Sequence, residues 1–553
     1  MDTLPPLQRG KGIFVNLTLD GICRLHLSGG HAKISLRIYE EAARWGDKDH
    51  SAAPKKAGDA MEKRQKTSLT MCLVAIGIVY GDIGTSPLYV MKSILEGNGG
   101  ITQINESFIV GALSLIIWTI TLLTTIKYVL IAMKAANHGE GGIFALYSLV
   151  KRCGKWLIIP AMLGGAALLA DGILTPAVTV TTAIEGLRTI PAVHAVLGDD
   201  QGRVVAITLA IIIALFLVQR IGTAKIGHAF GPIMTLWFLF LGGTGLFFVF
   251  QHPAVLLCLN PVRGIAFLLS PNNHAGIMIL GSCFLATTGA EALYSDMGHV
   301  GRGNIYATWP FVKCCLLLSY MGQGAWLMNN AANPELMGIA DLNPFYQMLA
   351  PGLRPFAVGL STVAAIIASQ ALITGAFSLV SEASRLDLMP HMQVFYPAET
   401  KGQLYIPMVN NVMLVGCVIV VLLFQNSAHM EAAYGLAITL TMMCTTLLLF
   451  FYLHEERKLK VAPWIFAAFF LLLEGFFFVS SLTKFFHGGY FTILMAALIM
   501  GIMVCWYNGT AVEQRQFTLL PLRSYLPQLK RLRDDDRYEL VSDNIVYLTK
   551  DTH

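Results

Sequence analysis

Long apolar runs alternate with short polar connections over most of the chain. The runs are about 20 residues long, the length at which an α-helix crosses the hydrocarbon core of a bilayer, and they recur from residue 69 to residue 506. Twelve predicted spans result, at 69–93, 107–133, 157–187, 203–219, 228–250, 274–297, 306–328, 355–382, 406–424, 430–452, 462–483 and 488–506. The pattern therefore predicts an all-α polytopic membrane protein with twelve transmembrane helices.

The composition and the placement of charge support this class. Hydrophobic residues make up 55% of the chain and charged residues 13%, whereas soluble proteins carry about 25% charged residues. Lys and Arg collect in alternate connections, as expected of loops that stay cytoplasmic, while the connections at 96–106 and 424–431 contain none. The charge pattern predicts that both termini are cytoplasmic, and the expected location is the cell (inner) membrane. No basic aromatic pattern suggests a nucleic-acid partner.

The first span contains an acid among helix-breaking residues. Asp82 is flanked by Gly81, Gly84 and Pro87 in "GDIGTSP", and glycine and proline are poor helix interior residues. Irregular backbone at membrane depth is tolerated only where protein or a watery cavity satisfies the freed N–H and C=O groups. The stretch therefore predicts that the first span is broken and faces an internal site.

The sixth span repeats this combination. "CFLATTGAEALYSDMGH" places Thr287, Thr288, Gly289 and Glu291 within an apolar run. Spans one and six are five apart and so run in opposite directions, as corresponding members of two inverted five-helix repeats would. Two broken helices in matching positions predict a site near the membrane midplane.

A third acid lies in the third predicted span. Asp171, Thr175 and Thr179 are spaced i, i+4, i+8, which stacks a carboxylate and two hydroxyls on one helix face at ~6 Å intervals. The alternative for the threonines is bonding to their own helix or between helices. Together with carbonyls freed at the two breaks, the acids and hydroxyls predict a cavity of hard oxygen ligands that suits a dehydrated metal cation.

Other charged and reactive residues narrow the function. Lys92, Lys127, Arg203 and Lys313 lie toward the ends of the predicted spans, where we expect their side chains to reach the membrane surface rather than to bind an anionic substrate. The ten cysteines are scattered without a CxxC pair, and no phosphate-binding loop or GxSxG motif occurs. We therefore expect neither an enzyme nor a bound cofactor.

Several motifs along the chain resemble those of one known family. They are "YGDIGTSPLY" (80–89), "NHGEGG" (137–142), "DGILTPAVTV" (171–180), "TGAEALYSDMGH" (288–299), "YMGQGA" (320–325), "IASQALITGAFSL" (367–379), "GQLYIP" (402–407) and "AAYGLAIT" (432–439). In this order they resemble the Kup/HAK/KT family of potassium uptake permeases. The resemblance implies the five-plus-five inverted repeat of the amino acid-polyamine-organocation transporters, and inward movement of potassium, commonly with a proton.

The resemblance also implies which residues bind the ions. Carried over by motif, the potassium ligands are Asp82, Tyr89, Asp171, Thr175, Thr179, Thr288 and Glu291. The three acids in this set, Asp82, Glu291 and Asp171, are the candidates for proton coupling. The expected partners are thus the potassium ion, the proton and the lipid bilayer, and a homodimer is left open.

The ends of the chain depart from the family pattern. We expect an N-terminal cytoplasmic segment at 1–66, for which Met61 offers an alternative start, and a transmembrane transport domain at 67–506. Residues 507–553 are expected to begin a cytoplasmic C-terminal domain that is truncated relative to the family.

Alternatives to proton-coupled potassium uptake remain. A secondary transporter for an amino acid or amine would share the fold but should offer a charged or aromatic pocket to the organic part of its substrate. A potential-driven potassium uniporter would use the same site without a proton. A channel is disfavoured by the lack of a TVGYG-like filter, and a membrane enzyme by the lack of a nucleophile beside the acids.

Overall fold

The computed structural model describes residues 68–516, with short gaps, and the single positions 527 and 531. The gaps lie at 138, 199, 222–223, 271–272, 274–275, 332, 334–335, 337–338, 340–341 and 397–403. The segment predicted at 1–66 and most of the segment predicted at 507–553 lie outside the described residues, and the division into domains stays a prediction.

Helices of membrane-spanning length dominate the described residues. Eleven segments are long and apolar enough to cross a bilayer, and a bent pair of helices makes a twelfth. We number them spans 1 to 12: Leu69–Ile78 with Gly81–Leu88, Glu106–Lys134, Lys155–Thr189, Gln201–Val218, Ala229–Gln251, Gly276–Ser295, Arg302–Asn330, Arg354–Arg385, Pro407–Phe424, Ser427–Glu456, Ala462–Thr483 and Gly489–Gln516. This confirms the predicted all-α polytopic class.

Shorter helices extend or connect the spans. They are Val90–Gly97, Ile143–Val150, Pro191–Leu197, Pro261–Leu268, Met297–Val300 and Pro344–Gln347. Val90–Gly97 continues span 1 beyond its break. The predicted bounds of span 11 agree with the observed helix, whereas span 12 continues past 506 to Gln516, because helices extend into polar sequence that an apolar run does not reveal.

The spans divide into an inner and an outer group. In the most apolar stretch of each helix, 78% of spans 3 and 6 is buried inside the protein, compared with 33% of spans 4 and 12. Span 3 packs against spans 8 and 10, and spans 5 and 7 pack against each other and against span 1. Exposed leucine, valine and phenylalanine side chains lie mainly on the outer spans, as expected of surfaces in contact with lipid. The buried polar residues of the inner spans are therefore shielded from the bilayer.

Both predicted helix breaks are present. Span 1 bends by 64° between Ile78 and Gly81, and its helix ends in a 3-10 turn before Tyr89. In span 6 the backbone is extended at Thr288 and left-handed at Gly289, with φ of 82°. A Cβ at Gly289 would lie 2.9 Å from the Ile83 nitrogen, so only glycine lets the two breaks meet. The inverted-repeat relation between the two halves of the chain stays a prediction.

Candidate functional site

Asp82 lies at the meeting point of the two breaks and is buried. The Tyr434 hydroxyl of span 10 donates to its carboxylate, 3.1 Å from Oδ1 and 3.0 Å from Oδ2. No Lys or Arg among the described residues forms an ion pair with Asp82. The sequence predicted the acid but missed Tyr434, although the "AAYGLAIT" motif contains it.

A cluster of hydroxyls joins spans 1 and 6 beside this acid. The Ser86 Oγ and Thr288 Oγ1 atoms lie 2.8 Å apart, and the Tyr89 hydroxyl lies 3.0 Å from Thr288 Oγ1 and 3.4 Å from Ser86 Oγ. Tyr89 is fully buried, so it is not an aromatic side chain exposed to lipid headgroups. The structure thus brings predicted residues Tyr89 and Thr288 together and adds Ser86.

The predicted oxygen row of span 3 is also buried. Thr175 Oγ1 donates to the Asp171 carbonyl at 3.0 Å, and Thr179 Oγ1 donates to the Thr175 carbonyl at 2.8 Å. Their hydroxyl protons thus bond back to the helix, which leaves the oxygen lone pairs as acceptors for a cation. Asp171 is close enough to Asp82 for the two charges to interact.

The carbonyls freed at the break of span 1 are already bonded. Trp237 Nε1 donates to the Gly84 carbonyl at 2.9 Å, Gln323 Nε2 to that of Pro87 at 3.0 Å, and Asn343 Nδ2 to that of Leu88 at 2.8 Å. Each of these three carbonyls thus has a side-chain donor from span 5, span 7 or the connection before span 8, and keeps one lone pair. The expectation that freed carbonyls line the cavity stays a prediction, and we describe the candidate site by its side-chain oxygens.

Glu291 lies in a neighbouring polar cluster. Its Oε1 accepts a hydrogen bond from Thr445 Oγ1 at 2.6 Å, and the hydroxyl of the buried Tyr128 interacts with the same carboxylate. Its charge interacts with those of Lys127 and Asp171. Glu291 thus borders the site formed by Asp82 and Asp171 without a direct hydrogen bond to either acid.

Two lysines contradict the prediction that basic side chains reach the membrane surface. Lys127 is fully buried, and its Nζ lies 2.5 Å from Glu474 Oε1. Lys92 is 2% exposed and lies 3.2 Å from Glu185 Oε2. Each lysine lies toward a span end, as predicted, but a carboxylate from another span holds it inside the protein, and such a partner cannot be inferred from local sequence.

Replacing the hydroxyl of Thr175 should cost little. Thr175→Val keeps the side-chain shape but removes one neutral oxygen, worth on the order of 0.5 to 1.5 kcal/mol, so we expect rubidium affinity to fall by roughly two- to tenfold. The measurement is rubidium uptake against concentration. Thr182→Val is the matched control, because Thr182 also bonds back to its helix, at 2.9 Å from the Val178 carbonyl. Complete loss of uptake would show that Thr175 has a larger role.

Broken helices around buried acids and hydroxyls define a polytopic membrane protein with a polar site inside its helix bundle. Residues 69–511 match the family model described as the K+ potassium transporter integral membrane domain, and the chain belongs to this family of potassium transporters. The match supports potassium, and not an amino acid, as the transported substrate.

Curated relatives agree with this membership. The chain is 56% identical over 478 residues to the "Probable potassium transport system protein Kup 1" of Lactococcus lactis subsp. lactis, covering 86% of this chain and 71% of that protein. It is 54% identical over 491 residues to the "Probable potassium transport system protein Kup" of Enterococcus faecalis, covering 88% and 73%. A solved manganese transporter mutant of Eremococcus coleocola aligns with a TM-score of 0.43 and 16% identity, over 81% of this chain and 94% of that one.

Proposed function

We propose that this potassium transporter moves potassium into the cell together with a proton, by secondary active transport. The location of the cation site in this proposal rests on one observation. Asp82 and Asp171 are buried without an ion-pair partner among the described residues, whereas Glu185 and Glu474 each have a lysine. A buried charge is normally paired or binds a metal ion. Among the buried acids without an ion pair, Asp82 and Asp171 are the two that interact with each other and lie with the hydroxyls of spans 1, 3 and 6, and there we place the transported cation.

The neutral ligands in this proposal are hydroxyl oxygens. Tyr89, Thr175, Thr179 and Thr288 join the two acids, and Tyr434 holds Asp82 in place. Hard oxygen donors suit potassium, and no nitrogen or sulfur ligand is needed. Glu291, at the border of the site, contributes charge.

We infer proton coupling from the number of acids at the site. Asp82, Asp171 and Glu291 are linked electrostatically, and together they carry more negative charge than one potassium ion neutralises. A proton on one of them would complete the neutralisation, so binding of the two ions would be thermodynamically linked. Interacting acids titrate as a set, and the proton is therefore assigned to the set.

Proteoliposomes test this coupling. At a fixed membrane potential, an inward proton gradient should speed potassium uptake, and potassium entry should acidify the lumen, as a trapped pH dye would report. The matched control is the Asp82→Asn protein in the same vesicles, which should show neither effect. Uptake that ignores the gradient, without potassium-dependent acidification, would identify a potential-driven uniporter.

We further propose that both termini are cytoplasmic, which labelling can test. Cys153 is exposed in the connection between spans 2 and 3, and Glu455 and Ser107 are also exposed. An impermeant thiol reagent should modify Ser107→Cys in intact cells, but Cys153 and Glu455→Cys only after permeabilisation, with modified peptides identified by mass spectrometry. Labelling of Cys153 and Ser107→Cys from the same side would contradict the twelve-span topology.

A further inference from the structure

The 3-10 turn of span 1 carries two hydroxyls of the cluster beside Asp82. Asp82 itself lies in the helix Gly81–Thr85, whereas Ser86 begins the turn Ser86–Leu88 and Tyr89 directly follows it. The positions of these two hydroxyls relative to the carboxylate therefore depend on the conformation of three residues.

The hydrogen bonds within this turn stabilise it only weakly. Pro87 has no N–H group to donate. The Tyr89 nitrogen donates to the Ser86 carbonyl at 3.2 Å, which is at the long end of the range for such bonds. Because 3-10 turns also have poorer hydrogen-bond geometry than α-helices, we expect other parts of the protein to hold this one in place.

Two buried amides hold the turn from outside. Gln323 Nε2 of span 7 donates to the Pro87 carbonyl at 3.0 Å, and Asn343 Nδ2 donates to the Leu88 carbonyl at 2.8 Å. Gln323 is fully buried and Asn343 is 8% exposed. Two consecutive carbonyls of the turn are thus anchored to span 7 and to the connection before span 8.

The Asn343 anchor is itself fixed by a second hydrogen bond. Its Oδ1 accepts from the Phe345 nitrogen at 3.1 Å and so caps the helix Pro344–Gln347. One end of the amide is bound to the start of this helix and the other end to the turn. Movement of the Leu88 carbonyl would therefore break this link or disturb the cap.

The Gln323 anchor lies on a face of span 7 that also reaches the hydroxyl cluster. Tyr320 precedes Gln323 by three residues, which places the two side chains on the same side of the helix. Tyr320 is fully buried, and it is close enough to Ser86 and Tyr89 to interact with both. Span 7 thus contacts both the backbone and the side chains of the turn.

We propose that Gln323 and Asn343 are positioning residues that set how well the transporter discriminates potassium from sodium, an inference that rests on the cation site proposed above. Selectivity between ions of equal charge depends on cavity size and on the number and flexibility of the ligands. Sodium is the smaller ion, so the oxygens must move inward to bind it. By anchoring two carbonyls of the turn, the amides restrict this movement of the Ser86 and Tyr89 hydroxyls.

Removal of the Gln323 donor tests this role. Gln323→Met keeps the approximate length of the side chain without an N–H group. In proteoliposomes at fixed pH and membrane potential, inhibition of rubidium uptake by sodium and by potassium gives two inhibition constants. Their sodium-to-potassium ratio should fall by roughly two- to tenfold, as expected from loss of one hydrogen bond. Gln370→Met is the matched control and should keep the wild-type ratio, because the buried Gln370 amide bonds to Gln219 Oε1 at 3.1 Å and not to the turn.

A second variant tests the other anchor. Asn343→Ser keeps an oxygen that can cap the following helix, but its side chain is too short to reach the Leu88 carbonyl. The same ratio should fall in this variant. Where a variant transports too slowly for uptake measurements, thermal stabilisation of the purified protein by potassium and by sodium reports the two affinities instead.

A structural role alone would have a different result. Gln323→Met and Asn343→Ser would then accumulate less protein or reach a lower maximal rate at an unchanged sodium-to-potassium ratio, and that result would overturn the proposal. So would an equal fall of the ratio in Gln370→Met. The cation site itself is tested separately by Asp82→Asn. Loss of uptake in Asp82→Asn, with unchanged ratios in both amide variants, would leave the site in place and refute only the role of the amides.

Discussion

Asp82→Asn is expected to abolish rubidium uptake while the protein still accumulates in the membrane. Asparagine keeps the side-chain volume and an acceptor oxygen for the Tyr434 hydroxyl, which lies 3.0 Å from Oδ2 in the native protein. The variant removes a buried negative charge for which no basic partner exists among the described residues. We expect uptake to fall at least about 100-fold, or ~3 kcal/mol of cation binding. The measurement is rubidium uptake in cells that lack other potassium systems.

Companion variants and a control define what this result means. Asp171→Asn and Glu291→Gln should also reduce uptake strongly, because each removes charge from the same set of acids. Asp200→Asn is the control, since Asp200 is exposed and caps the start of span 4 through a 2.9 Å bond to the Gly202 nitrogen. Normal uptake by all three site variants would show that the cation binds elsewhere.

The fold and the position of the site could be predicted because their signals are local. Apolar runs of spanning length predict each helix. An acid beside glycine within such a run, Asp82 in span 1 and Glu291 in span 6, predicts each break. The spacing of Asp171, Thr175 and Thr179 likewise fixes one helix face. These inferences need only neighbours in sequence, and the structure places those residues in buried positions on the predicted spans.

The hydrogen-bond partners of the buried polar groups could not be predicted, because these partners are distant in sequence. The carbonyl of Leu88 bonds to Asn343, and that of Pro87 to Gln323. Neither amide follows a pattern that links it to the break of span 1. Tyr434 was missed for the same reason, since an aromatic residue in an apolar span is ordinary until its hydroxyl is found beside an acid.

The second prediction of a large effect concerns the contribution of Lys127 to the stability of the folded protein. The pair that it forms with Glu474 is fully buried, and Thr446 Oγ1 donates to both carboxylate oxygens, at 3.0 and 2.8 Å. Lys127 Nζ also donates to the Met442 carbonyl at 2.8 Å. The pair thus joins span 2 to spans 10 and 11 through groups with no access to water.

Lys127→Met should therefore destabilise the folded protein severely. Removing one partner leaves the Glu474 charge buried and uncompensated, which costs about 3 to 5 kcal/mol, whereas replacing both partners of a buried ion pair is often nearly neutral. We expect Lys127→Met to accumulate poorly and to melt at lower temperature in detergent, and the double variant Lys127→Met with Glu474→Gln to recover both properties. Lys313→Met is the control, because Lys313 has no ion-pair partner among the described residues and is only partly buried. Wild-type accumulation of the single Lys127 variant, or failure of the double variant to improve on it, would show that charge balance between spans 2 and 11 does not hold this part of the bundle together.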